Sequence, residues 1–387
     1  MARYRSVRAI AFSFIARVAG SRLKLSLLVL TCGCCMGIYV LKRANREPPP
    51  KINFVHPCVA AIGRNVTHQP GSEYVSSQLE ESWLQSSLDG SAICNMSLRQ
   101  WQEAGIWTGY SKSVFRPGGQ PAREPTQEEA SVLSSFSRSV DGVSLQSFIE
   151  PLHGMARHPM SQICGATDPS FKADTFDITY LVTENACGRS EPKPIVKYYD
   201  LGCTDNGDSQ NAFDGFKYDL GVGLGPSIPL FFQMYKDRCL EFDEIFAWEV
   251  TPMNVDHWWQ PIPDHIRHRV HFYNIPVAEN PCPLSLRGPL PEKGSFLRLL
   301  MESAKPSDFV VVKVDIDHGP ELEIVEALAE RPELAQLVDE LYFEYHFDFP
   351  ELYPGWGPPP WNHRTVNTAL DLLHRLRLAG IRSHFWI

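Results

Sequence analysis

The stretch from Phe309 to Val325, FVVVKVDIDHGPELEIV, decides the fold that we predict for this chain of 387 residues. Its first part, Phe309 to Val314, is an almost unbroken apolar run, the pattern of a strand buried on both faces of a parallel sheet. Two carboxylates follow at Asp315 and Asp317, and apolar residues recur at helical spacing from Glu321 onward. Open α/β sheets bind their ligands at the carboxyl ends of such strands. The stretch therefore predicts a strand, a ligand site and a helix in succession.

A structural interpretation of the two carboxylates competes with the functional one. Asp is a preferred N-cap residue, so Asp317 would cap the following helix. Asp315 would then be a solvated strand end. The patterns in the rest of the chain bear on which interpretation is better.

Strand and helix patterns alternate along the carboxyl-terminal half of the chain. The predicted strands are Ile195–Leu201, Phe242–Glu249, Val270–Ile275, Phe309–Val314, Leu341–Phe347 and Ile381–Trp386. The predicted helices open at Pro226 and Ser227, include Phe296–Met301, and cover Pro320–Glu330 and Val366–Leu378. This alternation predicts an α/β fold with a Rossmann-like, mostly parallel sheet and helices on both faces.

The composition is that of a globular protein. Hydrophobic residues make up 43% of the chain and charged residues 21%, so a substantial core is expected. The net charge is −9, and no basic patch with interleaved aromatic residues follows residue 51. We therefore expect no nucleic acid among the partners.

The amino-terminal part predicts a single transmembrane helix followed by a stem. Residues 25–41 carry no charge and are just long enough to span a bilayer. Basic residues are more numerous before this segment than after it, so residues 1–24 would be a cytoplasmic tail. Residues 42–143 would be a stem and a loosely structured cap, and residues 144–387 the catalytic domain. Within the cap, only Ser77–Leu88 and Gln127–Phe136 suggest helices.

This topology predicts a type II membrane protein whose catalytic domain lies in the lumen of the Golgi or the endoplasmic reticulum. Glycosylation sequons at Asn65 and Asn95 agree with a lumenal location. Mitochondrial targeting is the alternative, because no acidic residue precedes Glu47 and Arg and Ser are frequent there.

The cysteine pattern is compatible with an oxidising compartment. Outside the apolar segment lie Cys58, Cys94, Cys164, Cys187, Cys203, Cys239 and Cys282. This odd number leaves at least one cysteine unpaired, and no CxxC spacing indicates zinc. We expect one to three disulfides, and the sequence leaves their pairing open.

Polar residues finish four successive predicted strands and predict a cofactor crevice. Asp200 and Gly202 follow the first strand, where backbone can approach a nucleotide-like cofactor closely. Glu249 ends the second strand, where a carboxylate can hold ribose hydroxyls. Asn274 ends the third and would receive an adenine edge, and Asp315 ends the fourth. Four such residues in register favour a ligand site over chance.

The stretch Val312–Val325, VKVDIDHGPELEIV, resembles the Lys-Ile-Asp-Val-Glu-Gly-Ala-Glu-x-Glu-Val-Leu signature of the FkbM-type methyltransferases. The similarity covers about residues 195–387. It implies the class I methyltransferase fold, S-adenosylmethionine as cofactor, and methylation of hydroxyls on sugars or other natural products. It would make Asp200, Gly202 and Glu249 cofactor-binding residues.

The resemblance also places Asp315 beside the methyl donor. Two departures from the family pattern stand out. The glycine spacing after Asp200 is wider than in the family, and Asp317 stands where the family has Glu.

The mechanism that the resemblance implies is in-line methyl transfer from a sulfonium to an acceptor atom, with a general base to take the hydroxyl proton. The candidate bases are Asp315, Asp317, His318 and His346. Asp315, Asp317 and His346 would equally well bind a divalent cation. The acceptor would be a small molecule or a glycan.

Two other functions remain open at this point. A type II anchor with Asp315-Ile316-Asp317 after an apolar strand also describes Golgi glycosyltransferases, in which the acidic pair holds a metal ion on a sugar nucleotide. Only a short segment follows Asp317, which tells against that alternative. A non-catalytic scaffold with the methyltransferase fold and a degraded cofactor loop is the third interpretation.

Overall fold

The computed structural model describes residues 72–88, 105–107, 109–111, 121–140, 143–152, 178–189, 193–203, 227–260, 262–277, 295–317, 320–346 and 364–386. The predicted tail, transmembrane segment and both sequons lie outside these ranges. Within them, no helix is both long enough and apolar enough to cross a bilayer.

The described residues form two sheets. The strands are β1 Ser72–Val75, β2 Ser134–Val140, β3 Val143–Ile149, β4 Val196–Leu201, β5 Glu244–Trp248, β6 Val270–Tyr273, β7 Phe309–Val314, β8 Glu340–Phe343 and β9 Arg382–Phe385. The helices are α1 Gln78–Leu84, α2 Gln127–Val132, α3 Ser227–Lys236, α4 Val255–Trp259, α5 Asp264–Arg267, α6 Phe296–Ser303, α7 Glu321–Glu330, α8 Pro332–Ala335 and α9 Val366–Leu378. Ile178–Tyr180 is a 3-10 turn, and residues 105–107 and 109–111 are helical.

The larger sheet has six strands in the order β6-β5-β4-β7-β8-β9. All five pairings are parallel, so the prediction of a mostly parallel α/β sheet is confirmed. In chain order the strands read 3-2-1-4-5-6, the doubly wound order. The direction of winding reverses between β4 and β7, and this switch point is where such sheets bind ligands.

Helices cover both faces of this sheet, because neighbouring strand residues point in opposite directions. Tyr198 stacks on Phe231 of α3 with ring centroids 4.8 Å apart. The next residue, Tyr199, meets Phe296 of α6 on the other face at 5.7 Å. These contacts belong to two separate apolar clusters, one on each side of the sheet.

The parallel register brings the carboxyl ends of the central strands together. Leu201 of β4 pairs with Val314 of β7, which in turn pairs with Phe343 of β8. Several strands end earlier than their apolar patterns predicted: β5 at Trp248, β6 at Tyr273 and β8 at Phe343. The polar residues that follow these ends therefore lie at the carboxyl edge of the sheet, where Glu249 and Glu344 still donate backbone hydrogen bonds to the neighbouring strands.

The smaller sheet contains residues from both sides of the predicted cap boundary. β1, β2 and β3 form an antiparallel sheet, in which β1 and β2 belong to the predicted cap. The predicted helix Gln127–Phe136 ends at Val132, since the alternating residues from Ser134 onward suit a strand with one buried face. The β2–β3 hairpin pairs Val140 with Val143 and thus crosses the boundary that we predicted between residues 143 and 144.

A buried ionic network joins the smaller sheet and α1 to the α/β sheet. Arg377 of α9 lies 2.9 Å from Glu80 of α1 and 3.6 Å from Glu150, which follows β3. His384 of β9 lies 2.7 Å from Glu150 and 3.0 Å from Glu340 of β8. All five side chains are buried, so the charges of Arg377 and His384 are balanced in part by Glu80 of the predicted cap and by Glu150 after β3.

One disulfide lies within the described residues. Cys187 is bonded to Cys239, and the bond ties the segment before β4 to the end of α3. Cys203 is a buried free thiol at the end of β4, and burial raises its pKa. The prediction of at least one disulfide is therefore confirmed, together with an unpaired cysteine.

Candidate functional site

The side chain of Lys313 contacts polar groups at the carboxyl ends of the two central strands, β4 and β7. Its ammonium lies 2.9 Å from the carboxylate of Asp315 and 3.4 Å from that of Asp200. It also donates a hydrogen bond of 3.1 Å to the carbonyl oxygen of Gly202. Burial alone would lower the pKa of Lys313, but the charges of Asp315 and Asp200 outweigh burial and raise it. Lys313 therefore carries a positive charge between two carboxylates at the switch point.

Asp200 is fully buried and links β4 to the helix that follows it. Its Oδ2 accepts a hydrogen bond of 2.5 Å from the hydroxyl of Ser227, the first residue of α3. Burial raises the pKa of Asp200, and Lys313 opposes that shift. Asp200 thus links the two ends of the β4–α3 connection.

Gly202 is required by a close approach of the two central strands. Its φ is +92°, in the left-handed region, and an added Cβ would lie 1.7 Å from the carbonyl oxygen of Asp315. No side chain fits between Gly202 and the backbone at the end of β7. The glycine therefore serves the packing of β4 against the end of β7.

Glu249 and Asn274 lie at the ends of β5 and β6. Glu249 is buried, and its Oε1 accepts a hydrogen bond of 2.6 Å from the backbone of Thr251. The amide of Asn274 donates to the carbonyl oxygens of Glu249 and Thr251 at 2.8 Å and 2.9 Å. Its Oδ1 accepts from the backbone of Met253 at 3.3 Å. The Asn274 side chain is thus engaged in shaping the loop that carries Glu249.

A second group of polar side chains follows β7 and β8. His346 is buried, and its Nε2 lies 3.2 Å from a carboxylate oxygen of Glu344 and 3.6 Å from one of Asp317. The side chain of Asp317 is 74% exposed, and its φ of +60° turns the chain sharply after β7. We call Asp317, Glu344 and His346 the edge triad.

Two further residues orient the histidine of the edge triad. The Nδ1 of His346 lies 3.2 Å from Oε1 of Glu321, a buried residue that begins α7. Arg364 donates to the same oxygen at 3.0 Å. These contacts fix the imidazole plane and direct Nε2 toward the two other members of the triad.

Asp315 and Glu344 share a hydrogen bond that connects the Lys313 cluster to the edge triad. Burial opposes ionisation of Asp315, but Lys313 outweighs it and holds the pKa of Asp315 below its usual range. Burial, and then the charge of Asp315, raise the pKa of Glu344 to about 8. At neutral pH Glu344 therefore donates this hydrogen bond to ionised Asp315.

The structure brings most of the predicted site residues to one edge of the sheet. Asp200, Gly202 and Asp315 meet at the switch point, and Asp317 lies beside His346. The possible metal ligands differ in one member from our prediction, because Glu344 rather than Asp315 groups with Asp317 and His346. His318 lies outside the described residues.

Four site residues were not predicted from the sequence: Lys313, Glu344, Glu321 and Arg364. Lys313 had a signal in the sequence, because a cation inside an apolar run must find a buried partner. Glu344 had the same signal, in the run LYFEYHF. Glu321 lies in the stretch that resembles the FkbM-type signature, but neither its contact with His346 nor that of Arg364 with Glu321 has a signal in the sequence.

Comparisons with known proteins identify no relative. No protein-family model matches the chain, and neither a curated protein nor a solved structure matches it.

Proposed function

We propose that this protein is a class I methyltransferase that uses S-adenosylmethionine to methylate a hydroxyl group of a sugar or another hydroxylated acceptor. The observation that carries the proposal is the set of residues at the switch point. The winding reverses between β4 and β7, next to Asp200, Gly202 and Asp315. Glu249 ends the neighbouring strand. The resemblance of Val312–Val325 to the FkbM-type signature supports the same function.

The residues at this edge suit the polar parts of S-adenosylmethionine. Oε1 of Glu249 is held by Thr251, and no donor within the described part of the chain reaches Oε2, which leaves that oxygen for a ribose hydroxyl. Asp315 and the buried Asp200 behind it would add negative charge at the switch point, which would suit a cationic sulfonium. The wider glycine spacing after Asp200 falls on residues outside the described ranges.

The cofactor would supply a methyl group bound to a sulfonium sulfur. The acceptor oxygen would form the new bond to the methyl carbon while the carbon–sulfur bond breaks, and the sulfur would leave as a neutral thioether. The chain has to hold the acceptor oxygen in line with that methyl group and to receive the hydroxyl proton. Asp317 after β7 is an exposed carboxylate and is the proton acceptor that we propose at this edge. Lys313 keeps the neighbouring Asp315 ionised.

The glycosyltransferase alternative receives less support from the site. In that interpretation the acidic pair of Asp315-Ile316-Asp317 holds a metal ion. The Asp315 carboxylate instead pairs with Lys313 at 2.9 Å. The scaffold interpretation would gain support if the folded chain bound no cofactor.

We further propose a type II membrane protein with its catalytic domain in the lumen of the Golgi or the endoplasmic reticulum. The Cys187–Cys239 disulfide supports an oxidising compartment. Cell fractionation with protease protection tests the proposal, and import into the mitochondrial matrix would contradict it.

We expect the full chain, purified in detergent, to bind S-adenosylmethionine and the Glu249→Gln variant to bind it at least about tenfold more weakly, a loss of about 1.4 kcal/mol. Glutamine keeps an oxygen for the Thr251 hydrogen bond but removes the charge that favours two ribose hydroxyls. Isothermal titration calorimetry measures both affinities.

The matched control is Glu241→Gln. Glu241 is an exposed carboxylate before β5, at the opposite edge of the sheet, where it pairs with Arg269. The control should retain wild-type affinity. Absence of binding by a folded wild-type chain would remove the methyltransferase assignment, and equal weakening by both variants would remove Glu249 from the crevice.

A further inference from the structure

The edge triad has the spacing of cation ligands. Each member offers one ligand atom, and all three atoms lie within 4.8 Å of one another. Ligand atoms about 2.1 Å from a common cation lie about 3.0–3.5 Å apart at octahedral or tetrahedral angles. The distances from His346 Nε2 to Glu344 and Asp317, 3.2 Å and 3.6 Å, come close to this spacing. A small rotation of the exposed Asp317 side chain would bring its carboxylate oxygen to this spacing from the other two ligand atoms.

The surroundings of His346 match the second shell of a metal site. Histidines that ligate metals through one ring nitrogen usually donate the other N–H to a carboxylate. Here Nδ1 faces Glu321, whose position is fixed by Arg364, and Nε2 faces the other members of the triad. The second carboxylate oxygen of Glu321, Oε2, is buried and has no hydrogen-bond partner among the described residues. The imidazole is thus already held in the orientation that a ligand requires.

We infer that Asp317, Glu344 and His346 form a binding site for a divalent cation at the carboxyl edge of the sheet. One nitrogen and two carboxylate oxygens suit Mn²⁺ or Zn²⁺. Three protein ligands leave at least one coordination position open, as in catalytic rather than structural sites. In the proposed methyltransferase, a hydroxyl oxygen of the acceptor would take that position. This last role rests on the proposed function, whereas the cation site itself does not.

The test is a titration of the full chain in detergent with Mn²⁺, without S-adenosylmethionine, followed by the loss of the electron paramagnetic resonance signal of free Mn²⁺. A parallel titration with Zn²⁺ uses calorimetry. We expect one cation per chain and an affinity at least about tenfold lower in the Asp317→Asn variant, in line with the sensitivity of metal sites to single substitutions. Asparagine tolerates the left-handed backbone at φ +60°, so the variant is expected to fold.

The control variant is Asp264→Asn, which removes a carboxylate of 95% exposure from the first turn of α5 and should leave the affinity unchanged. Binding of neither cation to the folded wild-type chain would overturn the inference. So would equal affinities of the wild type and Asp317→Asn, since the cation would then lie elsewhere. The outcome is independent of cofactor binding, so a failure of the proposed function and a failure of the cation site are distinguishable.

Discussion

The Arg377→Met variant is expected to unfold with a free energy about 3–5 kcal/mol below that of the wild type, because it leaves buried carboxylates unpaired. The guanidinium is 1% exposed and lies 2.9 Å from Glu80 and 3.6 Å from Glu150. Methionine fills most of the volume, so the loss reports the charge rather than a cavity. Urea denaturation of the full chain, followed by circular dichroism, measures the change.

Arg375→Met is the matched control in the same helix, α9. Arg375 is 28% exposed and pairs with Glu330 and Asp371 at 3.3 Å and 3.0 Å. Because water remains available to these partners, the control should lose no more than about 1 kcal/mol. Equal losses in the two variants would show that Arg377 contributes no more than a surface ion pair.

The loss of stability at acid pH gives a second measurement of the ion pair between Glu80 and Arg377. Burial alone would raise the pKa of Glu80, but Arg377 and several hydrogen bonds lower it to about 2 from an ordinary value of 4.5. Since the folded pKa lies below the unfolded one, the contribution is complete above about pH 4.5 and is lost as the pH falls toward 2. As the pH falls through that interval, the free energy of unfolding should therefore decrease less for Arg377→Met than for the wild type.

The Lys313→Met variant is expected to lose a similar amount, about 3–5 kcal/mol, and to disturb the proposed crevice as well. Lys313 is the cation between Asp200 and Asp315, and it also holds the carbonyl of Gly202. Without it, the buried carboxylates repel each other at the point where β4 and β7 end. Thermal unfolding at neutral pH measures the loss.

Two further variants separate the charge effect from general disruption. Lys236→Met removes an exposed lysine at the end of α3 and should change stability by less than about 1 kcal/mol. Adding Asp200→Asn to Lys313→Met should recover part of the loss, because one of the two unpaired carboxylates is neutralised. A loss below about 1 kcal/mol for Lys313→Met, or no recovery in the double variant, would contradict the role of Lys313.

The sequence by itself determined the α/β framework. Phe309–Val314 is a strand with the bounds that its apolar run predicted, and Val366–Leu378 is a helix with the bounds that its periodicity predicted. These elements follow from local rules, since burial on both faces of a strand leaves a continuous apolar run and burial on one face of a helix leaves a repeat of fixed period. The positions of Asp200, Glu249 and Asp315 at strand ends follow for the same reason.

Tertiary structure alone decided which charged groups meet. Glu80 and Arg377 are 297 positions apart and pair in the interior. Glu321 of α7 reaches His346, and Arg364 before α9 reaches Glu321; neither has a periodicity that marks it. The energy of such pairs depends on distance and burial, which no local pattern encodes. The sequence therefore predicted the strand ends that form the site, but the partners of Lys313 and His346 had to be found in three dimensions.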